Sequence, residues 1–208
     1  LAGNAVEKAP SAIYNLQAQR KNMTTLNDYL VEKRVAVRAR RARLEAGEAE
    51  PHELRAQVRA EGRSGVRRIR IRDFQVISDS GPDFAGYNLG PSSPELQLGV
   101  LGSCLTHVFL IHAADRGVPL DSLEVEVSGR MDPRAGRPGF EDVPIYPHDI
   151  RYSVHITSPA AVEELTALHA VVERACPILN LLQQPQQIYG VLHHTVPAEA
   201  VEVEAVAG

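Results

Sequence analysis

Apolar positions run almost without interruption from Leu96 to Ile111, and the rest of the chain is patterned around that stretch. Leu96, Leu98, Val100, Leu101, Leu105, Val108, Phe109, Leu110 and Ile111 cover nearly every side of a helix, which predicts burial on most faces. Ser92 and Glu95 have capping-box spacing, Pro94 suits a first helical turn, and Gly117 with Pro119 stops the helix. About 22 residues at ~1.5 Å each predict a rod of roughly 33 Å. A membrane span is the competing reading. Gln97, His107 and His112 interrupt the run and Asp115 and Arg116 close it, which argues against a span. Gly99, Gly102 and Ser103 thin the helix beside Cys104, so other backbone or a small ligand can approach the sulfur.

On either side, the pattern changes period. Residues 24–46 predict a helix with Leu26, Leu30, Val37 and Leu44 loosely on one side, ended by Gly47. Residues 53–61 and 66–78 predict two strands joined by a tight turn at Gly62–Gly65. Ile69 and Ile71 alternate with Arg68, Arg70 and Arg72; the apolar parity then shifts to Phe74 and Val76, which predicts a bulge near Asp73. A Gly/Pro/Ser loop over 79–93 leads into the central helix. Leu123, Val125 and Val127 alternate with polar residues, as do Ile150, Tyr152, Val154 and Ile156, predicting two more strands. The Gly/Pro-rich stretch 131–149 between them reads as a lid or binding loop. Ala161, Leu165, Leu168, Val172 and Ala175 form the stripe of a second helix starting at Ser158-Pro159. Pro177 ends or kinks it at Cys176, with a short further helix through Gln183. Residues 187–196 are expected to form a last strand. Residues 1–20 lack a period and are expected to be frayed or loosely docked. This order predicts an α+β fold with antiparallel sheet. The domain division is a 1–50 extension carrying a basic helix, a 51–197 domain and a 198–208 low-complexity tail.

Composition narrows the picture. Apolar residues make up 44% of the 208, with no Trp and only 5% aromatics, so the core is aliphatic. Residues 1–72 hold 16 Lys/Arg against 8 Asp/Glu, a balance of +8, whereas 73–208 carry −12. The basic face on 34–43 reads first as a solvated helix surface, with an acidic partner subunit, nucleic acid or a membrane surface as alternatives. No aromatics interleave with its arginines, so nucleic acid is an unlikely partner. No charged-then-apolar segment opens the sequence, so a cytoplasmic protein with no membrane partner is expected.

Two cysteines are too few for a disulfide scaffold. Cys104 and Cys176 are two inert core residues, a redox pair, or one nucleophile and a bystander. A pair needs a thiolate, and Arg63 or the arginines of 66–72 offer the cation that would lower a thiol pKa. Helix-terminus electrostatics alone favour the thiolate at Cys176, which precedes a helical turn. Cys104-x-x-His107 and His193-His194 are weak metal signals without a second ligand pair. No phosphate-binding or dinucleotide fingerprint is present.

Three segments, RIRDFQVISD, AGYNLGPSSPELQLGVLGSCL and the Cys-Pro that ends the second helix, resemble the OsmC/Ohr family, the osmotically inducible protein C and organic hydroperoxide resistance proteins. The resemblance covers roughly residues 55–195. It implies an OsmC-like α+β fold, an antiparallel sheet with two long central helices, and an intertwined homodimer. It also implies a thiol peroxidase without metal or organic cofactor. Cys104 would be the peroxidatic cysteine and Cys176 the resolving one. Arg63, in a Gly-Arg-x-Gly turn, would be the active-site arginine, with Arg72 as fallback, and Glu95 would hold it. The implied partners are an organic hydroperoxide substrate and a dithiol reductant. The alternative is a non-catalytic protein of the same fold that binds a small apolar ligand at the dimer interface.

Overall fold

The structure is a computed structural model and describes residues 24–196. Helix α1 spans Leu26–Glu45, where Thr25 and Asp28 close a capping box. Strands β1 (Gln57–Glu61), β2 (Val66–Ile71) and β3 (Phe74–Ser78) follow. A 3-10 turn at Pro82–Phe84 precedes helix α2, Ser93–Arg116, and strands β4 (Ser122–Arg130) and β5 (His148–Thr157) come next. Helices α3 (Val162–Ala175) and α4 (Pro177–Gln183) meet at a 62° bend. The basis for α2 is the expected one: Ser92 and Glu95 form the capping box, and Gly117 ends the helix at φ 81, a conformation that favours glycine. Its 24 residues make a rod of about 36 Å.

The strands form two antiparallel sheets, β1-β2-β3 and β4-β5, rather than one. In the second, Val125 opposes Val154 and Val127 opposes Tyr152, so the apolar parity of both strands falls on one face toward α2. Three other expectations are corrected. The parity shift after Ile71 is not a bulge: Ile71 pairs with Phe74 across a two-residue hairpin turn at Arg72-Asp73. Arg72 takes φ 54, the left-handed value required at the first central position of primed hairpin turns. Residues 187–196 form no strand; Ile188, Val191 and Leu192 are exposed there. Ala161 and Ala175, expected on the buried stripe, are exposed at the two ends of α3. The expectations for 1–20 and for the 198–208 tail lie outside the described residues.

Helix α2 is the hub. Leu101, Leu105, Phe109, Ala113 and Ala114 on it are at most 1% exposed, and they pack with Leu30 of α1, Leu168 and Val172 of α3, Cys176, and Leu179 of α4. Gly102 lets β4 come close: a methyl built there would stand 3.2 Å from Val127. By length and a mean hydropathy of 1.5, α2 could cross a membrane. Its neighbours are those of a core helix instead, with α1, β4, α3 and α4 packed along it. The β1-β2-β3 sheet is different. Among the described residues no helix covers it, and Val58, Ile71, Phe74 and Val76 are exposed. Gly99, Val100 and Ser103 likewise leave one strip of α2 open.

Candidate functional site

The site is built at the elbow between α3 and α4. Pro177 has no N–H, so Glu173 C=O loses the donor four residues on that a continuous helix would supply. The N–H of Ile178, which would serve Arg174 C=O, instead lies toward the Cys104 sulfur, whose pKa it lowers. The Asn180 side chain supplies the replacement. Its Nδ2 donates to the carbonyls of Glu173 (3.1 Å), Arg174 (3.4 Å) and Cys176 (2.8 Å). Cys176 itself is extended at φ −73, ψ 112 between the helices and is 0% exposed.

Cys104 sits mid-way along α2, half-buried, with its thiol against this elbow. The two cysteines, 72 positions apart in sequence, are therefore neighbours. Burial pushes the Cys104 thiol above its ordinary value; the Ile178 N–H pulls the other way, and the Cys176 side chain adds to the rise. Among the described residues no positive group acts on it. His107, one turn on, is shifted down by burial and by Lys33 of α1, and no hydrogen bond joins it to Cys104.

The single chain does not assemble the other expected members. Arg63 lies exposed in the β1–β2 turn, and no hydrogen bond or ion pair joins it to either cysteine. The guanidinium of Arg72 lies over the Phe74 ring, 5.1 Å from its centroid. Glu95 holds no arginine. Its Oε2 accepts from Ser92 N and Ser92 Oγ, both at 2.7 Å, and these bonds hold its pKa below the ordinary value.

The sequence reading missed two groups. Arg67 donates to Ser78 Oγ, the Asp79 carbonyl and Ser80 Oγ, tying β2 to the loop before α2. Its parity with Ile69 and Ile71, opposite to that of Arg68 and Arg70, was the available signal. Tyr152 on β5 donates its phenol proton to Glu173 Oε1 at 2.6 Å, with His169 Nε2 at 2.8 Å from the same oxygen. His169 also stacks on Phe109 of α2, centroids 5.8 Å apart. Here the signal was the spacing of His169, Glu173 and Cys176, four and three residues apart, which is one helix face.

On the far side of α2 a groove of about 390 Å³ runs along β4, lined by Glu95, Leu98, Gly99, Gly102, Ser103 and Thr106 with two valines. Among the described residues, no group of three or more His, Cys, Asp or Glu is arranged to hold a metal. Chemically, the arrangement offers two neighbouring thiols that an oxidant could join in a disulfide.

The OsmC-like protein family model matches residues 86–189, which include Glu95, Cys104 and Cys176 but not Arg63, α1 or the first sheet. No curated protein matches the sequence. The structure is similar to that of an OsmC-like protein from Mycoplasma pneumoniae, with TM-score 0.55 and 18% identity, covering 64% of this chain and 89% of the other. It is also similar to one from Psychrobacter arcticus described as an osmotic stress induced and detoxification response protein, with TM-score 0.50 and 16% identity over 63% and 89%. At these identities the likenesses speak to the fold alone. With the family model spanning half of the sequence, from the loop before α2 through both cysteines, the chain belongs to the OsmC-like protein family.

Proposed function

We propose that the protein is a cysteine-based hydroperoxide reductase acting on organic hydroperoxides. The observation that carries this reading is the meeting of Cys104 and Cys176 at the α3–α4 elbow. The Cys104 thiolate attacks the distal peroxide oxygen, the O–O bond breaks, and an alcohol leaves. The Cys176 sulfur then attacks the Cys104 sulfenic acid, giving a disulfide and water, and a dithiol reductant restores both thiols.

The cation comes from a second copy in this reading. The thiol of the single chain is raised, so it needs a positive neighbour to ionise near neutral pH. The uncovered β1-β2-β3 sheet, with Arg63 at its tip, and the open strip of α2 are the surfaces that a homodimer would bury against each other. Arg63 of one copy would then lower the Cys104 pKa of the other. Glu95, at the start of the same α2, would turn from Ser92 to that arginine.

The test is intact mass before and after one equivalent of cumene hydroperoxide, with peptide mapping. Loss of two hydrogens, located to a Cys104–Cys176 bridge and reversed by a dithiol, is the expected result. An unchanged mass, or slow over-oxidation of one cysteine, would refute it. The raised Cys104 thiol favours a second reading for that case, a non-catalytic protein that binds a small apolar ligand between two copies.

A further inference from the structure

We propose that Asn180 is a positioning residue for Cys176, setting the elbow at which that thiol meets Cys104. The inference rests on the thiol-pair reading above and adds a residue to it. Cys176 is the hinge between α3 and α4. Its N–H closes α3 on the Val172 carbonyl at 2.8 Å, and its carbonyl opens α4 by accepting the Asn180 N–H at 3.1 Å. Upstream, Leu168 and Val172 anchor α3 in the core; downstream, Leu179 anchors α4, with Ile178 and Cys104 packed against the same cluster. The backbone angles at Cys176 therefore decide where its sulfur stands relative to Cys104. The thiol, 0% exposed, has little freedom of its own.

Pro177 narrows the choice. It disfavours the helical basin for the residue before it and leaves an extended range with ψ of about +120 to +160°. Cys176 sits at ψ 112, the tight end of that range. The Asn180 amide supplies the hold. Its Nδ2 donates to the Cys176 carbonyl at 2.8 Å, which its own backbone N–H also serves, so one residue grips that oxygen twice. The same nitrogen reaches back across the 62° bend to the Glu173 carbonyl at 3.1 Å and the Arg174 carbonyl at 3.4 Å. All three partners only accept, so the amide nitrogen and not Oδ1 must face them. One side chain thus ties the last turn of α3, the hinge residue and the first turn of α4. Leu, of nearly the same size, keeps the packing and loses the tie. Asp keeps the shape and opposes it, because a carboxylate has no hydrogen to give.

The experiment reads closure alone. One equivalent of methyl methanethiosulfonate loads Cys104 of the full chain: the thiolate takes the methylthio group and methanesulfinate leaves. The Cys176 thiolate then attacks the Cys104 sulfur, the Cys104–Cys176 bond forms, and methanethiolate leaves and takes a proton from water. This second step is first-order in loaded protein, so the reactivity of Cys104 toward the reagent does not enter it. Mass follows the loss of methanethiol from about pH 4.5 to about pH 8, which spans the carboxyl and thiol ranges.

Asn180→Leu is expected to close roughly 100-fold more slowly than wild type at every pH, the cost of misplacing reacting atoms by about 1 Å. Asn180→Asp is expected to be slower still at the alkaline end and to gain on wild type at the acid end, where its carboxyl protonates and has a hydrogen to donate. Three facing carbonyls raise that transition above the ordinary aspartate value of about 3.9. His169, Glu173 and Arg174 of α3 are common to every chain and cancel in the ratio, and α4 carries no charged residue. Asp79→Asn is the control, since it weakens the loop before α2 without touching the elbow, and it is expected to close at the wild-type rate. Closure by Asn180→Leu at the wild-type rate would overturn the proposal. So would equal slowing in Asp79→Asn, which would trace the effect to stability, or an Asp-to-wild-type ratio that does not rise as pH falls. Wild type that loads and never expels methanethiol would overturn the thiol-pair reading first, and the proposal with it. Loading needs no peroxide, so failure of cumene hydroperoxide to oxidise Cys104 would count against the peroxidase reading and leave the role of Asn180 separately decided.

Discussion

Asn180→Leu removes the side-chain donor at the α3–α4 elbow while nearly keeping its size. The cost can be worked from the three bonds. Cys176 C=O keeps a second donor, the Asn180 backbone N–H at 3.1 Å, so it is not orphaned. Glu173 C=O loses a sound bond at 3.1 Å, and Arg174 C=O loses a marginal one at 3.4 Å. Both carbonyls lie near water, which replaces part of the loss. At about 0.5–1.5 kcal/mol net per hydrogen bond, Leu should destabilise by about 1 to 2 kcal/mol. For a chain of this size that is a fall in Tm of roughly 2–8 °C. Asn180→Asp should be worse, although it is the closer match in shape, because a carboxylate would face three carbonyl oxygens. Urea denaturation of both variants gives the ranking, with an unchanged m-value expected. Disulfide closure after peroxide should slow in the same order, because the elbow carries Cys176. An Asp variant as stable as wild type, or a Leu variant without loss, would show that the side chain does not hold the elbow.

Other outcomes follow from the same contacts. Arg63→Ala should leave folding intact and lower the thiolate fraction of Cys104; a thiol titration at 240 nm with no upward shift would count against the shared site. Asp79 is held below its ordinary pKa of 3.8 by the backbone N–H groups of Leu89 and Ser80 and, against opposing burial, by Tyr87 N–H and Arg67. A lowered folded value means that its stabilisation is present above about pH 4 and fades as pH falls through the folded pKa. Asp79→Asn should therefore weaken the protein at pH 7 and flatten its acid unfolding limb, and an unaltered limb would contradict this. Leu105→Ala, at a site 0% exposed in the hub of the core, should cost about 2.7–5 kcal/mol in denaturant, and a cost under 1 kcal/mol would mean the core collapses onto the gap.

What could be read in advance was whatever depends on local pattern. The caps of α2, the parity of Leu123, Val125 and Val127 and the break at Pro177 are decided within a few residues of themselves. The turn at Arg72-Asp73 was misread because one residue in φ > 0 and one inserted residue shift parity in the same way, and Arg is a poor advertisement for a left-handed position. The separation into two sheets depends on which strands have partners at all, and that is not encoded in any one strand. Of the site, the two cysteines and the Cys-Pro were visible. Their contact needed the tertiary packing of α2 on α4. Asn180 was hidden because its partners are carbonyls that only the break at Pro177 frees, and Tyr152 because its partners lie on another element, α3.

Helix α1 has a consequence for where this protein can be cut. Asn27 uses both ends of its amide on the α2–β4 turn: Oδ1 accepts from Leu120 N at 2.8 Å and Nδ2 donates to Asp121 Oδ1 at 2.9 Å. Leu30 is 3% exposed in the core, and Arg34 donates to the Ala114 carbonyl near the end of α2. A truncation drawn at the family boundary, residue 86, would strip these contacts and leave the Leu120 amide and the last turn of α2 bare. The evolutionary unit and the folding unit of this chain thus have different borders, and an expression boundary belongs before Thr25, whose side chain starts the helix.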